Sequence, residues 1–78
     1  MEYTVIIEKA QNNYAAYVPD LPGCVTTAPS RQEVLKEIRE AMEFHIEGMR
    51  EDGEPIPEPQ TTATVVDVAF TAVGVTTR

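Results

Sequence analysis

The sequence of 78 residues contains one cysteine and one histidine, and this scarcity excludes two common ways of stabilising a small domain. One cysteine cannot form a disulfide within the chain. One cysteine and one histidine cannot supply the roughly four ligands of a conventional zinc site. Domains below roughly 70–80 residues often need a disulfide, a metal or a partner subunit. We therefore expect one domain, residues 1–78, that is stabilised by another protein chain and holds no metal or cofactor.

Positive charge is also scarce, because six Lys and Arg face 13 Asp and Glu and give a formal net charge of −7. Binding to nucleic acid depends on Lys and Arg that neutralise phosphates, and binding to anionic lipid depends on the same groups. No apolar run approaches the ~20 residues of a membrane span, and the N-terminus MEYTVIIEKA lacks the basic start of a signal peptide. We expect a cytoplasmic protein that contacts neither nucleic acid nor membrane and attracts a basic partner.

Four segments of the chain have the composition and alternation of β-strands. Apolar residues recur with a period of two, or Val and Thr dominate, at residues 2–9, 14–18, 24–28 and 62–70. The polar residues 11–13, which include two Asn, predict a hairpin turn between the first two strands. Residues 54–60 contain three prolines and predict an extended link before the last strand. The tail, residues 71–78, shows no periodic signal and is expected to be frayed.

One helix is predicted over residues 31–51. Ser30 and Glu33 have the spacing of an S-x-x-E capping box, and Asp52-Gly53 marks the end. A single apolar stripe faces the sheet at ~100° per residue. It consists of Val34, Leu35, Ile38, Ala41, Met42, His45 and Met49.

The predicted order β-β-β-α-β gives an α+β domain of two layers, with one helix on one face of a mostly antiparallel four-stranded sheet. One helix covers only one sheet face. Ile6, Ala15 or Tyr17, and Val65 are therefore expected on the uncovered face. This arrangement predicts a homodimer or homotetramer formed through the uncovered face or an edge of the sheet.

Several residues are candidates for partner binding or for structural roles. The corner that contains Asp20, Leu21 and Pro22 reverses the chain between two strands and also offers a rigid rim to a partner. Phe44 projects roughly 120° from the centre of the stripe, so it either anchors a partner or packs under the link. Glu47, on the outer side of the helix, is a further candidate contact. Structural roles are expected for Gly23, Cys24, Ser30, Glu33 and His45.

Residues 14–59, YAAYVPDLPGCVTTAPSRQEVLKEIREAMEFHIEGMREDGEPIPEP, resemble the HicB-like antitoxins. The resemblance rests on the PDLPGC corner, on Ala41 and His45 in the helix, and on Pro55-Ile56-Pro57. It implies a partial RNase H-like fold and an antitoxin of a type II toxin–antitoxin system that binds and masks a small basic HicA toxin, an RNA-cleaving protein. Family members usually continue into a C-terminal DNA-binding domain, which this chain is expected to lack.

Two alternatives come from other functional classes. One is a solitary oligomeric module that binds another protein and has no toxin. The other is an RNase H-like hydrolase, which needs clustered carboxylates to hold two metal ions. Glu8 would be the acid on the first strand, with Asp20, Glu33 and Asp67 as its associates. Convergence of these acids is not expected, and we predict no catalytic residues and no enzyme activity.

Overall fold

A computed structural model describes residues 1–70, in which three strands precede one helix. The strands are β1 (Ile6–Lys9), β2 (Tyr14–Tyr17) and β3 (Val25–Ala28), and the helix is α1 (Arg31–Glu51). The strands form one antiparallel sheet in the order β1-β2-β3. The predicted α+β class, with one helix following an antiparallel sheet, is confirmed, and the helix has the predicted bounds.

The register of the sheet separates its two faces. Ile7, Ala16 and Thr26 form one row across the three strands, and Ile6, Tyr17 and Val25 form the next. Adjacent rows point to opposite faces. The row with Ala16 faces α1, because Ala16 is buried and the Thr26 hydroxyl donates to Glu37 Oε1 at 3.3 Å. The row with Ile6 and Tyr17 lies on the uncovered face, as predicted.

The core lies between the sheet, the corner after β2 and the inner side of α1. Leu21, Val34 and Ile38 are its largest fully buried side chains. Partly buried side chains from the start of the chain, from β1 and β2, and from later turns of α1 extend this core. These are Tyr3, Val5, Ile7, Tyr14, Ala41, Met42 and Ile46. The core of so short a chain is small, so each of its residues carries a large share of the stability.

Ser30 caps α1, but the two halves of the predicted capping box differ. The Ser30 hydroxyl oxygen accepts from the backbone N–H of Glu33 at 3.1 Å, as expected. The Glu33 carboxylate accepts from the Ser30 hydroxyl at 3.0 Å, whereas a complete box would have it accept from the Ser30 backbone N–H. At the other end, Gly53 has φ of +72°, a left-handed conformation that favours glycine after a helix.

The apolar stripe of α1 is only partly buried. Val34 and Ile38 are buried, whereas Leu35 is 39% exposed, so its predicted place in the buried stripe is wrong. The reason is the position of α1, which packs over β2 and β3 and leaves the β1 side open. Within residues 1–70, no helix is long and apolar enough to cross a membrane.

The predicted fourth strand, residues 62–70, is not paired within the single chain. Residues 54–70 have neither helix nor strand, and Val65 is 97% exposed instead of lying on the sheet face. A strand needs a neighbouring strand to pair its backbone N–H and C=O groups. The alternation of residues in a sequence indicates a strand but does not identify that neighbour. The prediction of a frayed tail falls on residues 71–78, outside the described part of the chain.

Candidate functional site

The corner between β2 and β3 is a closed turn built on backbone hydrogen bonds. The N–H of Val18 donates to the Cys24 carbonyl at 3.2 Å and brings the two strands together. Inside this loop, the N–H of Leu21 donates to Val18, and the N–H of Cys24 donates to Leu21, each at 3.0 Å. Gly23 has φ of +84°, a conformation that other residues adopt only with strain. The corner is therefore rigid.

Leu21 belongs to the core and not to a binding surface. Its side chain is 0% exposed, so the suggestion that Leu21 contacts a partner is corrected: the tight corner turns it inward. Cys24 is buried as well, and burial raises the pKa of its thiol. A raised pKa keeps the thiol protonated and unreactive. Pro22, by contrast, is exposed at the tip of the corner.

Asp20 holds the proline-rich link against the corner. Its Oδ2 accepts from the backbone N–H groups of Gln60 and Thr61, each at 2.9 Å, and its Oδ1 accepts from the Thr61 hydroxyl at 2.9 Å. The backbone hydrogen bond from Thr61, followed by that from Gln60, lowers the pKa of the Asp20 carboxyl below its ordinary value. No local pattern indicates this contact, because 40 residues separate Asp20 from Gln60.

Tyr3 and Thr4, which precede β1, form hydrogen bonds to the same link. The Tyr3 hydroxyl donates to the Pro57 carbonyl at 2.6 Å, and the Thr4 hydroxyl donates to the Thr61 carbonyl at 2.6 Å. Together with Asp20, these side chains fix residues 57–61 beside the start of β1. Residues 62–70 leave the folded body from this point.

The exposed surface of α1 carries an acidic stripe with a phenylalanine in it. Its members recur at intervals of four and three residues, which places them on one side of a helix. All are exposed, and Phe44 is 83% exposed. We call this set the acidic stripe: Glu33, Glu37, Glu40, Phe44, Glu47 and Glu51. The spacing is readable in the sequence, although only Phe44 and Glu47 of this set were named there as candidate contacts.

The acidic stripe lies on the β3 side of the helix, since Glu37 accepts from Thr26 of β3. Two basic residues of the middle and end of α1, Arg39 and Arg50, project from the other flank at ~100° per residue. Arg39 there pairs with Glu43 at 3.7 Å between exposed side chains, a pair that contributes little stability. The two flanks of α1 thus differ in charge.

The remaining candidates do not form a catalytic arrangement in the described residues. His45 is half-buried on α1, Glu8 lies on β1, and Asp67 lies on the exposed segment after the link. Asp20 is occupied by the link, and Glu33 by the helix cap. Across residues 1–70, no three His, Cys, Asp or Glu side chains lie close enough together to hold a metal ion.

Curated relatives of this chain come from a phage, archaea and bacteria. An uncharacterized 14.9 kDa protein of Haemophilus phage HP1 is 43% identical over 58 residues, which are 74% of this chain and 44% of the phage protein. This chain thus spans less than half of that relative. A UPF0150 protein of Thermoplasma acidophilum is 43% identical over 58 residues, covering 73% of this chain and 84% of that protein.

A solved structure and a family description agree with the fold. A chain of the HicA3 and HicB3 toxin-antitoxin complex matches with a TM-score of 0.66 and 30% identity, over 77% of this chain and 70% of that one. Residues 3–73 match the family described as the HicB_like antitoxin of bacterial toxin-antitoxin system. That match includes the corner, the helix and the link described above. The chain belongs to the HicB-like antitoxin family.

Proposed function

We propose that this chain is a cytoplasmic antitoxin that binds a small basic HicA-type ribonuclease toxin and masks its active surface. The observation that carries the proposal is the structural match, at a TM-score of 0.66, to a chain of a HicA–HicB complex. Family membership over residues 3–73 supports it, as does the net charge of −7, which favours a basic partner.

We propose the acidic stripe as the docking surface. Phe44 offers an apolar anchor, and aromatic residues are common among the few side chains that dominate binding energy. Glu40 and Glu47 flank it on the same side of α1, so a Lys or Arg of the partner would meet carboxylates on each side of the anchor. Pro22 is a further exposed candidate on the corner, whereas the Asp20 carboxylate is already used by the link.

The proposed mechanism is masking without chemistry. An RNA-cleaving protein binds RNA phosphates with Lys and Arg. A row of carboxylates competes for those same groups, and Phe44 would hold the two proteins together after the charges have oriented them. No bond is made or broken on this chain, and inhibition would follow the ratio of antitoxin to toxin.

The test begins with a search for a small basic protein encoded beside this chain, followed by co-expression and co-purification of the two. Phe44→Ala is expected to weaken the complex by at least roughly 30-fold, as for a residue that anchors an interface. Leu35→Ala is the matched control, because Leu35 is an exposed apolar residue of α1 outside the acidic stripe. Equal effects of the two variants would contradict the proposed surface.

Charge reversal tests the electrostatic part. Glu47→Lys, in the acidic stripe, is expected to slow association and to make it less dependent on salt. Glu8→Lys carries the same charge change at an exposed position of β1, outside the acidic stripe, and is expected to slow association much less. If no basic protein is encoded nearby or co-purifies, the toxin-binding proposal fails and the solitary interaction module takes its place.

Self-association as a homodimer or homotetramer is also part of the proposal. Two features of the sheet would support it. The uncovered face presents Tyr17 and Val25, which are 39% and 60% exposed. The outer edge of β1 has no neighbouring strand within residues 1–70.

A further inference from the structure

Gly48 lies within α1, at an exposed position where glycine is unfavourable. Gly23 and Gly53 have a positive φ that favours glycine, whereas Gly48 has not and continues the helix. Inside a helix, glycine is less favourable than alanine, because its backbone loses more conformational freedom on folding. The chain therefore carries a residue at position 48 that weakens its only described helix.

No contact within residues 1–70 requires a glycine at this position. A Cβ atom added to Gly48 would meet no atom within 4 Å. The Gly48 carbonyl accepts from the backbone N–H of Asp52 at 3.1 Å, as the carbonyl of any residue could. Neither close packing nor backbone conformation in the single chain explains the glycine. The space outside Gly48 is open to another molecule.

The neighbours of Gly48 on the helix surface belong to the acidic stripe. Phe44 precedes it by four residues and Glu51 follows it by three, so both lie on the same side of α1. Glu47 is the residue before it, and Phe44 is 83% exposed. Bare backbone at Gly48 therefore lies beside an exposed aromatic residue and two carboxylates.

We propose that Gly48 is a binding determinant of the acidic stripe, because the absence of a side chain there lets the basic partner approach α1 closely beside Phe44. This inference rests on the proposed function and names a residue on which that binding depends. A Lys or Arg of the partner would lay the methylene part of its side chain across Gly48 and place its charged end at Glu47 or Glu51. The ring of Phe44 also favours a cation beside it.

Charge selects a cationic side chain of another protein as the occupant. An apolar side chain in this place would remove water from Glu47 and Glu51 without supplying an opposite charge, which is unfavourable. A second copy of this chain would bring its own acidic stripe and a net charge of −7, so the two would repel each other. A Lys or Arg of a basic protein meets both requirements.

The first experiment compares stability and binding in Gly48→Ala. The Tm of the free chain is expected to rise by roughly 2–8 °C, because alanine favours the helix and the added methyl group meets no atom of the described chain. The Kd for the basic protein that co-purifies with this chain is expected to increase at least roughly fivefold, because a methyl group added to a close contact forces the two proteins apart. Circular dichroism measures the Tm, and titration calorimetry measures the Kd.

A second variant and a control separate contact from helix stability. Gly48→Gln also favours the helix but places a longer uncharged side chain over the contact, so its Kd is expected to increase more than that of Gly48→Ala. Gln32→Ala is the matched control, because Gln32 is an exposed residue of α1 on the flank away from the acidic stripe. Its Kd is expected to equal that of the wild type.

Three outcomes would overturn the inference, and they differ in what they mean for the proposed function. A fall in the Tm of Gly48→Ala would show that the glycine is needed inside the chain. If both Gly48 variants bind like the wild type while Phe44→Ala weakens the complex, the acidic stripe remains the docking surface and Gly48 has no part in it. If no basic protein forms a complex with this chain, the proposed function fails and this inference fails with it.

Discussion

Thr61 is joined to Asp20 by two hydrogen bonds of 2.9 Å, one from its backbone N–H and one from its hydroxyl. One carboxylate thus connects the corner after β2 with the end of the proline-rich link. The contact gives Asp20 a structural role that its position in an exposed-looking turn did not indicate. It also determines where residues 62–70 leave the folded body.

Asp20→Asn is expected to release the link while the helix and the sheet remain folded. An amide can accept through one oxygen only and carries no charge, so the bonds to Gln60 and Thr61 weaken. Hydrogen exchange at these two amides should accelerate at least roughly tenfold. Glu58→Gln makes the same charge change at an exposed position of the link and should leave the exchange unaltered. Unchanged protection in Asp20→Asn would show that other contacts hold the link.

The stabilising effect of Asp20 should disappear in acid. Hydrogen bonds from Thr61 and Gln60 lower the pKa of this carboxyl in the folded chain below 3.8. A lowered pKa stabilises the folded chain at pH values above 3.8, and this contribution is lost as the pH falls through the folded value. The free energy of unfolding of wild type and of Asp20→Asn is measured from neutral pH downward. The difference between the two should be constant above about pH 5 and shrink below it. A constant difference down to the lowest pH would contradict this interpretation.

Ser30→Ala is expected to lower the free energy of unfolding by about 1 kcal/mol. The backbone N–H of Glu33 would lose the oxygen that accepts from it at 3.1 Å. In a chain of this size the loss corresponds to a fall in Tm of roughly 4–8 °C. Ser30→Thr keeps the hydroxyl and should retain most of the stability. Equal losses of Tm in the two variants would argue against the cap as the cause.

Leu21→Ala is expected to destabilise the chain by about 2–5 kcal/mol, because it leaves a cavity at a fully buried position. That is a large part of the total free energy of unfolding, which is expected to be ~4–12 kcal/mol for a chain of this length. Leu35→Ala removes the same atoms from a side chain that is 39% exposed and should cost much less. Chemical denaturation of the two variants measures the difference. Similar losses would contradict the assignment of Leu21 to the core.

The parts of the fold that depend on neighbouring residues could be predicted from the sequence. Ser30 and Gly53 mark the ends of α1 because caps are local, and the first two strands follow from alternation and a short turn. Burial of Leu21 was missed, because a turn sequence suggests exposure. Exposure of Leu35 was missed, because periodicity shows which side of a helix is apolar but not how far the sheet extends beneath it.

The contacts that position the candidate surfaces connect distant parts of the chain. Asp20 contacts residues 40 and 41 positions later, and Thr4 contacts a residue 57 positions later. No local pattern reports such pairs. Residues 62–70 pair with no strand within the described chain and are a stronger case of the same limit, since alternation shows that a segment suits a sheet but not which strand receives it.

The hydrogen bonds from Tyr3 and Thr4 to the link bring the two ends of the folded body together. Chains whose ends lie side by side tolerate circular permutation. A version that joins these ends through a short linker and opens at the exposed turn, residues 11–13, should therefore keep the corner, the helix and the link in place. In the unpermuted chain, a fluorophore near residue 1 and another near residue 62 would report, by their separation, whether the link is docked.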